Sequence, residues 1–262
     1  MLKFQSPGDI AFNILGFPVY FYGIILAIAI AAGVYAAYLL YKKYYDAENA
    51  QCIFDISPYA IIFGIIGARL YYCLVNYSYY SAHPLEIFDI RQGGLSIHGM
   101  IIAGIITLII MSKRCKVPAL KLLDCFLCGT ALAQSVGRWG NFFNSEAFGL
   151  PTDLPWKLFI PLSKRPEEFV SNEYFHPAFL YEGILDLLIF FVLLALLGRF
   201  SKKPGIITCL YLILYSLARI AVESLRIDSV LNIQGFPVAQ LASVVLIVVA
   251  LGLLPVFYFK ST

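Results

Sequence analysis

The sequence predicts an all-α polytopic membrane protein with about seven transmembrane helices, its N-terminus outside, its C-terminus cytoplasmic, and a small extracytoplasmic cap. Three observations predict it. First, 13% of the 262 residues are charged and 60% are hydrophobic, with a mean hydropathy of +0.80. A soluble domain averages about 25% charged residues, so this chain has too little charge to cover a soluble surface. Second, seven apolar segments are readable, at 17–41, 57–76, 93–112, 120–138, 177–198, 205–225 and 237–259. Each is close to the roughly 20 residues that cross a hydrocarbon core. Third, Lys42, Lys43, Lys113, Arg114, Lys116, Lys121, Arg199, Lys202, Lys203 and Lys260 all follow odd-numbered segments. Positive charges in short connections mark the cytoplasmic side.

The first segment is long enough to span and ends without a small-residue cleavage site, so it is expected to be an uncleaved helix rather than a secretory signal. The opposite side carries Lys3, Arg91, Arg226 and a longer loop with Lys157, Lys164 and Arg165. The whole chain, 1–262, is expected to form one transmembrane domain, with 140–175 as a cap inserted between the fourth and fifth spans. Pro151, Pro155, Pro161 and Pro166 argue against long helices there. Trp156, Phe159 and Phe169 argue for a folded piece rather than a disordered one. The net charge of +3 points to no nucleic acid partner. Of the six cysteines, Cys125-x-x-Cys128 is the one close pair, and no second pair or His cluster completes a zinc site. All six read as small apolar residues.

The stretch Gly137-Arg138-Trp139-Gly140-Asn141-Phe142-Phe143-Asn144-Ser145-Glu146-Ala147-Phe148-Gly149 stands out. It follows an apolar run and opens the longest polar segment. Ionisable groups at a membrane boundary are costly and usually have partners or a task. Arginine can hold a phosphate with two parallel bonds, and asparagine adds neutral donors. A plainer reading is a helix end with a structural Arg–Glu pair and a glycine turn.

Other polar residues fall at the same depth. Arg69 sits seven residues before Asn76, roughly 10 Å below the outer end of its span. His98 lies about one turn into the third span, after Gly93-Gly94. Tyr215, Arg219, Glu223 and Arg226 are spaced i, i+4, i+8 and i+11, which places them in one helical stripe. All belong to the outer half of the membrane, with Glu146 and Glu182 nearby, and no counterparts are read on the inner side. Each has a plainer reading taken alone: Arg219 and Glu223 as a self-neutralising pair, Arg69 as a ligand of backbone carbonyls, His98 as a neutral histidine between helices, His176-Pro177 as a helix start. Together they read as a positive pocket for an anionic lipid head group, with a histidine able to exchange protons.

These blocks resemble the prolipoprotein diacylglyceryl transferase family. Gly137 to Gly149 matches the family signature of Gly-Arg, a spacer, Gly-Asn-Phe, an apolar residue, Asn, a spacer, Glu, two spacers and Gly. Tyr22-Gly23, Gly67-Ala68-Arg69-Leu70 and Gly93-Gly94-Leu95-Ser96-Ile97-His98-Gly99 precede it. His176-Pro177-Ala178-Phe179-Leu180-Tyr181-Glu182 and Arg219-Ile220-Ala221-Val222-Glu223-Ser224-Leu225-Arg226 follow in the right order.

The resemblance implies transfer of the diacylglyceryl group of phosphatidylglycerol to the lipobox cysteine of a preprolipoprotein signal peptide. A thioether forms and glycerol-1-phosphate leaves. It implies a bacterial cytoplasmic (inner) membrane enzyme with its active site toward the outer leaflet, membrane lipids around it, and neither metal nor cofactor.

His98 is then the expected base for the thiol, and Arg138 and Arg219 the expected phosphate ligands. Asn141 and Asn144 are expected to add donors, Glu146 and Glu223 to orient the arginines, and Tyr22 and Tyr215 to touch the head group. Gly149, Arg69 and Arg226 complete the substrate-binding set. The alternatives are a transporter of a lipid or small anionic solute, which would favour internal symmetry and midplane polar groups, a structural membrane subunit, and an intramembrane protease. Ser96 and His98 do not suit the protease, because i, i+2 residues on a helix do not face each other.

Overall fold

The computed structural model describes residues 4–90, 93–227, 232–233 and 236–259. Seven helices are long and apolar enough to cross a membrane: α1 (Phe21–Tyr44), α2 (Cys52–Val75), α4 (Ile97–Arg114), α5 (Ala119–Asn144), α6 (Ala178–Phe200), α7 (Ile206–Glu223) and α8 (Val238–Phe259). A short α3 (Tyr77–Ala82) follows α2. The seven expected spans are all present. Lys3, Arg91 and Lys260, three of the charges used to orient the chain, lie outside the described residues.

Two boundaries differ from expectation for local reasons. Residues 17–20 are not helical, because β1 (Ile10–Ile14) and β2 (Phe17–Tyr20) form an antiparallel hairpin closed at Leu15 and Gly16, both at positive φ. The fourth span does not stop at 138. It continues to Asn144, so Arg138, Asn141 and Asn144 are helical residues. The left-handed residues Ser145 (φ 54°) and Ala147 (φ 53°) turn the chain out of the helix, where the plainer sequence reading had a glycine turn.

The chain divides into two compact units. The first comprises Met1–Ala37 and Phe126–Thr262. Within it the backbones of Gly33 and Gly129 approach so closely that a Cβ on Gly33 would stand 2.7 Å from the Gly129 carbonyl oxygen. Small residues permit this approach between membrane helices. Helix α7 packs on both α6 and α8. The folded segment between α5 and α6 begins at Ser145. Its strands β3 (Leu158–Phe159) and β4 (Tyr174–Phe175) pair antiparallel. Phe148, Leu158, Ile160, Phe175 and Phe179 form its apolar core, with Phe4 and Phe142 packed against it. Arg165 closes the proline-rich turns by donating to the carbonyls of Ile160 (2.9 Å) and Val170 (3.0 Å). Near the C-terminal end β5 (Asn232–Ile233) pairs with β6 (Phe236–Pro237) ahead of α8.

The second unit is Tyr38–Cys125. Helices α2 and α4 cross at Gly67 and Gly99, where a Cβ on Gly67 would meet the Gly99 carbonyl oxygen at 2.7 Å. The connection between them is held by Arg69. Its Nε donates to Ile87 O (2.8 Å), Nη1 to Gly93 O (3.0 Å) and Gly94 O (3.1 Å), and Nη2 to Glu86 O. Gly93 and Gly94, at φ 89° and 73°, supply the backbone shape that this clamp needs. Tyr79 donates to Glu86 (2.7 Å), and that bond pushes its phenol pKa up. Asp124, near the start of α5, is fully buried and accepts a hydrogen bond from Tyr45 (3.1 Å). Buried ionisable side chains are therefore not confined to the ends of the spans that the sequence singles out.

The glycine crossing makes a stability prediction. Gly99→Ala puts a methyl group against the backbone of α2 and should destabilise the protein by about 1–3 kcal/mol. Gly104→Ala, where nothing lies within 4 Å of the added atom, should not. Thermal unfolding in detergent distinguishes them.

Candidate functional site

The site in the first unit grows from two acidic residues in an otherwise apolar helix. Glu182 and Asp186 are one turn apart on α6, and both are buried. Gly183 between them leaves room for Arg138 of α5, whose Cβ lies 3.4 Å from where a Gly183 side chain would begin. Arg138 Nη2 donates to Glu182 Oε1, and its Nε lies 3.8 Å from Asp186 Oδ2.

Helix α7 brings Arg219, whose Nη1 donates to the same Glu182 Oε1 (3.2 Å) and whose Nη2 pairs with Glu223 Oε2 one turn further on (2.6 Å). Arg226 Nη1 stands 3.6 Å from Glu182 Oε2. Glu182 is thus the shared partner of three arginines. Arg226 reaches it from beyond the end of α7, so the expected helical stripe ends at Glu223. Arg226 is instead bridged to Gly149 in an antiparallel backbone contact.

Charge burial explains the pattern. A guanidinium in an apolar surrounding needs a counter-charge close by. The three carboxylate side chains are 1–3% exposed, and the guanidinium side chains of Arg138, Arg219 and Arg226 are 20%, 19% and 13% exposed. The acids lie beneath and the arginines keep the more open side. Among the described residues, Arg138 Nη1 and Arg219 Nε donate to nothing. Among the described residues, Glu182, Asp186 and Glu223 are the carboxylates paired with Arg138, Arg219 and Arg226.

The other expected residues of this unit surround α5 and α7. The ring of Tyr22 fits against Gly140, where a Cβ would lie 2.7 Å from its Cδ2. Asn141 is half-buried, and its side chain makes no hydrogen bond to a described residue. Asn144 donates to Glu146 (3.3 Å). Glu146 is exposed and faces this asparagine, while the carboxylates that orient arginines are Glu182, Asp186 and Glu223. Tyr215 stacks on Tyr211 with ring centroids 5.7 Å apart, and Tyr211 donates to Gln134 (2.9 Å). Gly149 does not make a turn. Its N–H donates to His176 O (2.8 Å), and a Cβ there would meet Leu225 O at 2.7 Å, so the residue permits a close backbone approach. His176 itself contacts the Tyr181 hydroxyl (3.2 Å), which also accepts from Trp156 (2.8 Å).

His98 and Arg69 belong to the second unit. His98 is the second residue of α4 and is exposed. Its ring stacks 5.8 Å from that of Tyr71, and its Nδ1 lies 3.5 Å from Ser96 Oγ. Helical spacing predicts that these two side chains do not meet. They do because Ser96 precedes the helix in an extended conformation (φ −92°, ψ 127°), so helical spacing does not apply. Arg69 has its guanidinium committed to four backbone carbonyls, the plainer of its two sequence readings.

Sequence reasoning misses the two centres of this arrangement. It places Glu182 nearby without a role, and it does not single out Asp186. The available signal is a pair of acids at i, i+4 inside a span, which is itself rare in a membrane helix.

Glu182→Ala leaves three guanidiniums short of a partner. It should cost roughly 3–5 kcal/mol or prevent folding. Glu182→Gln, which keeps one acceptor and the shape, should cost less. Unfolding temperature and recovery of folded protein from membranes measure both.

Comparison with known proteins places the chain in a family. The family model described as prolipoprotein diacylglyceryl transferase matches residues 9–256. A protein of Synechococcus elongatus named phosphatidylglycerol–prolipoprotein diacylglyceryl transferase is 42% identical over 267 residues, covering 100% of this chain and 91% of its own length. A Nostoc protein of the same name is 43% identical over 255 residues, 95% of this chain and 88% of its own. One from Prochlorococcus marinus is 39% identical over 284 residues, 98% of this chain and 93% of its own. The chain belongs to the prolipoprotein diacylglyceryl transferase family.

Proposed function

We propose that this protein is a membrane transferase that moves the diacylglyceryl group of phosphatidylglycerol onto a prolipoprotein. Membership of the family along residues 9–256 carries this reading. The transporter alternative has no comparable support. The acceptor is the thiol of a lipobox cysteine, presented by a signal-peptide helix. The enzyme sits in the bacterial cytoplasmic membrane, N-terminus outside, with its site toward the outer leaflet. The positive charges after the odd-numbered spans support that orientation.

The arginine cluster supports the residue roles. Arg138 and Arg219 hold the lipid phosphate with their uncommitted Nη1 and Nε donors, while Glu182 and Glu223 keep both guanidiniums from turning away. Asn141 adds a neutral donor, and Asn144 does so when it leaves Glu146. Tyr22 and Tyr215 line the head group. Arg226 and Gly149 tie the chain beyond α7 to the segment after α5. Arg69 shapes the Gly93–Gly94 turn that leads into His98, so its role is indirect.

The chemistry is a displacement at carbon. Thiolate is the nucleophile, so the thiol must lose its proton, and His98 is the base that takes it, directly or through water. Sulfur bonds to the glyceryl carbon as the carbon–oxygen bond to phosphate breaks, and the electron pair stays on the phosphate oxygen. Donors already aimed at that oxygen lower the barrier without reorganising. No acyl-enzyme is needed.

The test is a transfer assay with acyl-labelled phosphatidylglycerol and a lipobox peptide. Wild-type protein should label the cysteine peptide, release glycerol-1-phosphate and leave a Cys→Ser peptide unlabelled. Arg138→Ala and His98→Ala should each lose roughly 100-fold or more in rate. Both variants keeping wild-type rates would sink these residue roles, and folded wild-type protein that labels no peptide would sink the function.

A further inference from the structure

The β1–β2 hairpin of the first unit turns its large apolar side chains outward. Leu15 at its tip is 95% exposed and Phe17 beside it 76%, while Ile10, Phe12, Ile14 and Tyr20 are about half exposed. The strand register sorts them. Successive residues of a strand alternate between faces, and residues directly opposite each other share one. Ile14 pairs with Phe17 and Phe12 with Val19, so these four lie on one face, and Asn13 pairs with Pro18 on the other. The hairpin is therefore amphipathic. No charged residue falls between Ile10 and Tyr41. Phe21 N–H donates to Asp9 O (2.9 Å) and closes the base of the hairpin, so β2 runs straight into α1. The apolar exposure continues there at Leu26 and Ile28, on a helix long and apolar enough to cross a membrane.

Two surroundings do not suit such a hairpin. A lone two-stranded hairpin is marginal in water, and this one would add an exposed apolar face to that cost. The hydrocarbon interior would leave the N–H and C=O groups of both open strand edges unpaired. The boundary between them meets both demands. There the apolar face reaches acyl chains while the edges stay among hydrated head groups. Pro18, which has no N–H, removes one edge donor.

The hairpin is also fastened on both sides to the last turn of α5. Before it, Phe4 stacks on Phe142 with ring centroids 5.4 Å apart, and Ser6 Oγ donates to Phe143 O (2.8 Å). After it, Phe21 stacks on Phe143 at 4.2 Å and Tyr22 fits against Gly140. Whatever holds the hairpin therefore also holds the helix end that carries Asn141 and Asn144.

We propose that the β1–β2 hairpin docks on a lipid surface: it enters the bilayer boundary at the N-terminal end of α1 with Leu15 and the face of Phe12, Ile14, Phe17 and Val19, keeps Asn13 and Pro18 toward the head groups, and so sets the depth of the end of α5. The proposal needs only the membrane spans and is independent of the transferase reading.

The experiment uses the full-length protein in nanodiscs of phosphatidylcholine and phosphatidylglycerol, with no peptide present. Cys115→Ser is made in every variant, because the other five cysteines are buried. A fluorophore is attached at Leu15→Cys or, for comparison, at Asp153→Cys, where the native side chain is wholly exposed. Quenching by lipid carrying a shallow spin label is measured against quenching by aqueous iodide. The ratio of lipid to iodide quenching should be about threefold or more higher at Leu15 than at Asp153. Should Leu15→Cys fail to fold, Phe17→Cys takes its place with the same expectation. A ratio no higher at the hairpin than at Asp153 means that the hairpin stands in water and overturns the proposal. A hairpin label shielded from both quenchers means that protein, such as a second copy of the chain, covers it, and overturns the proposal too.

Discussion

The first unit depends on one constraint: a guanidinium cannot sit among apolar helices without an anion beside it. Glu182 meets that constraint for Arg138, Arg219 and Arg226 at once. Because these arginines come from α5, from α7 and from the chain beyond α7, one carboxylate ties three stretches of sequence to α6. Small residues do the rest. Gly183 makes room for Arg138, Gly140 for Tyr22, and Gly149 for the backbone at Leu225. An apolar helix bundle would pack without any of this. Burying so much charge is costly, and Glu182 offsets that cost for three arginines at once.

The second unit solves a different problem with the same residue type. Arg69 spends its donors on the carbonyls of Glu86, Ile87, Gly93 and Gly94, and so converts a connection between two spans into a defined loop. Ser96 leaves that loop in an extended conformation, and His98 opens the next helix with Ser96 Oγ near its Nδ1. One arginine site is paired with carboxylates and the other with backbone carbonyls. Sequence spacing alone does not separate them.

The spans are legible because length and hydropathy are additive properties of a segment. All seven helices emerge within a few residues of their expected bounds, apart from starts and ends set by something else. Phe17–Tyr20 is as apolar as the helix after it, and only its pairing with Ile10–Ile14 makes it a strand. Gly137 to Asn144 looks like the start of a polar loop, yet it is helical, with Arg138 paired to Glu182 of α6 and Gly140 fitted against Tyr22 of α1. The signature residues can be found one at a time, since each is conspicuous in an apolar context. Their pairing cannot. Asp186 in isolation is one acid in a hydrophobic run, and its spacing does not show that α5 places Arg138 beside it. The contact between Ser96 and His98 is hidden for a similar reason, because it depends on where the helix begins.

Everything in the proposed chemistry turns on whether the guanidiniums gathered on Glu182 receive the lipid phosphate. An experimental structure of the protein with phosphatidylglycerol bound answers this without relying on turnover. Phosphate oxygens should lie within about 2.7–2.9 Å of Arg138 Nη1 and Arg219 Nε, the range of charge-assisted hydrogen bonds, with Glu182 still joining the three arginines. A phosphate held elsewhere, with Arg138 and Arg219 bonded only to Glu182, Asp186 and Glu223, would contradict that assignment.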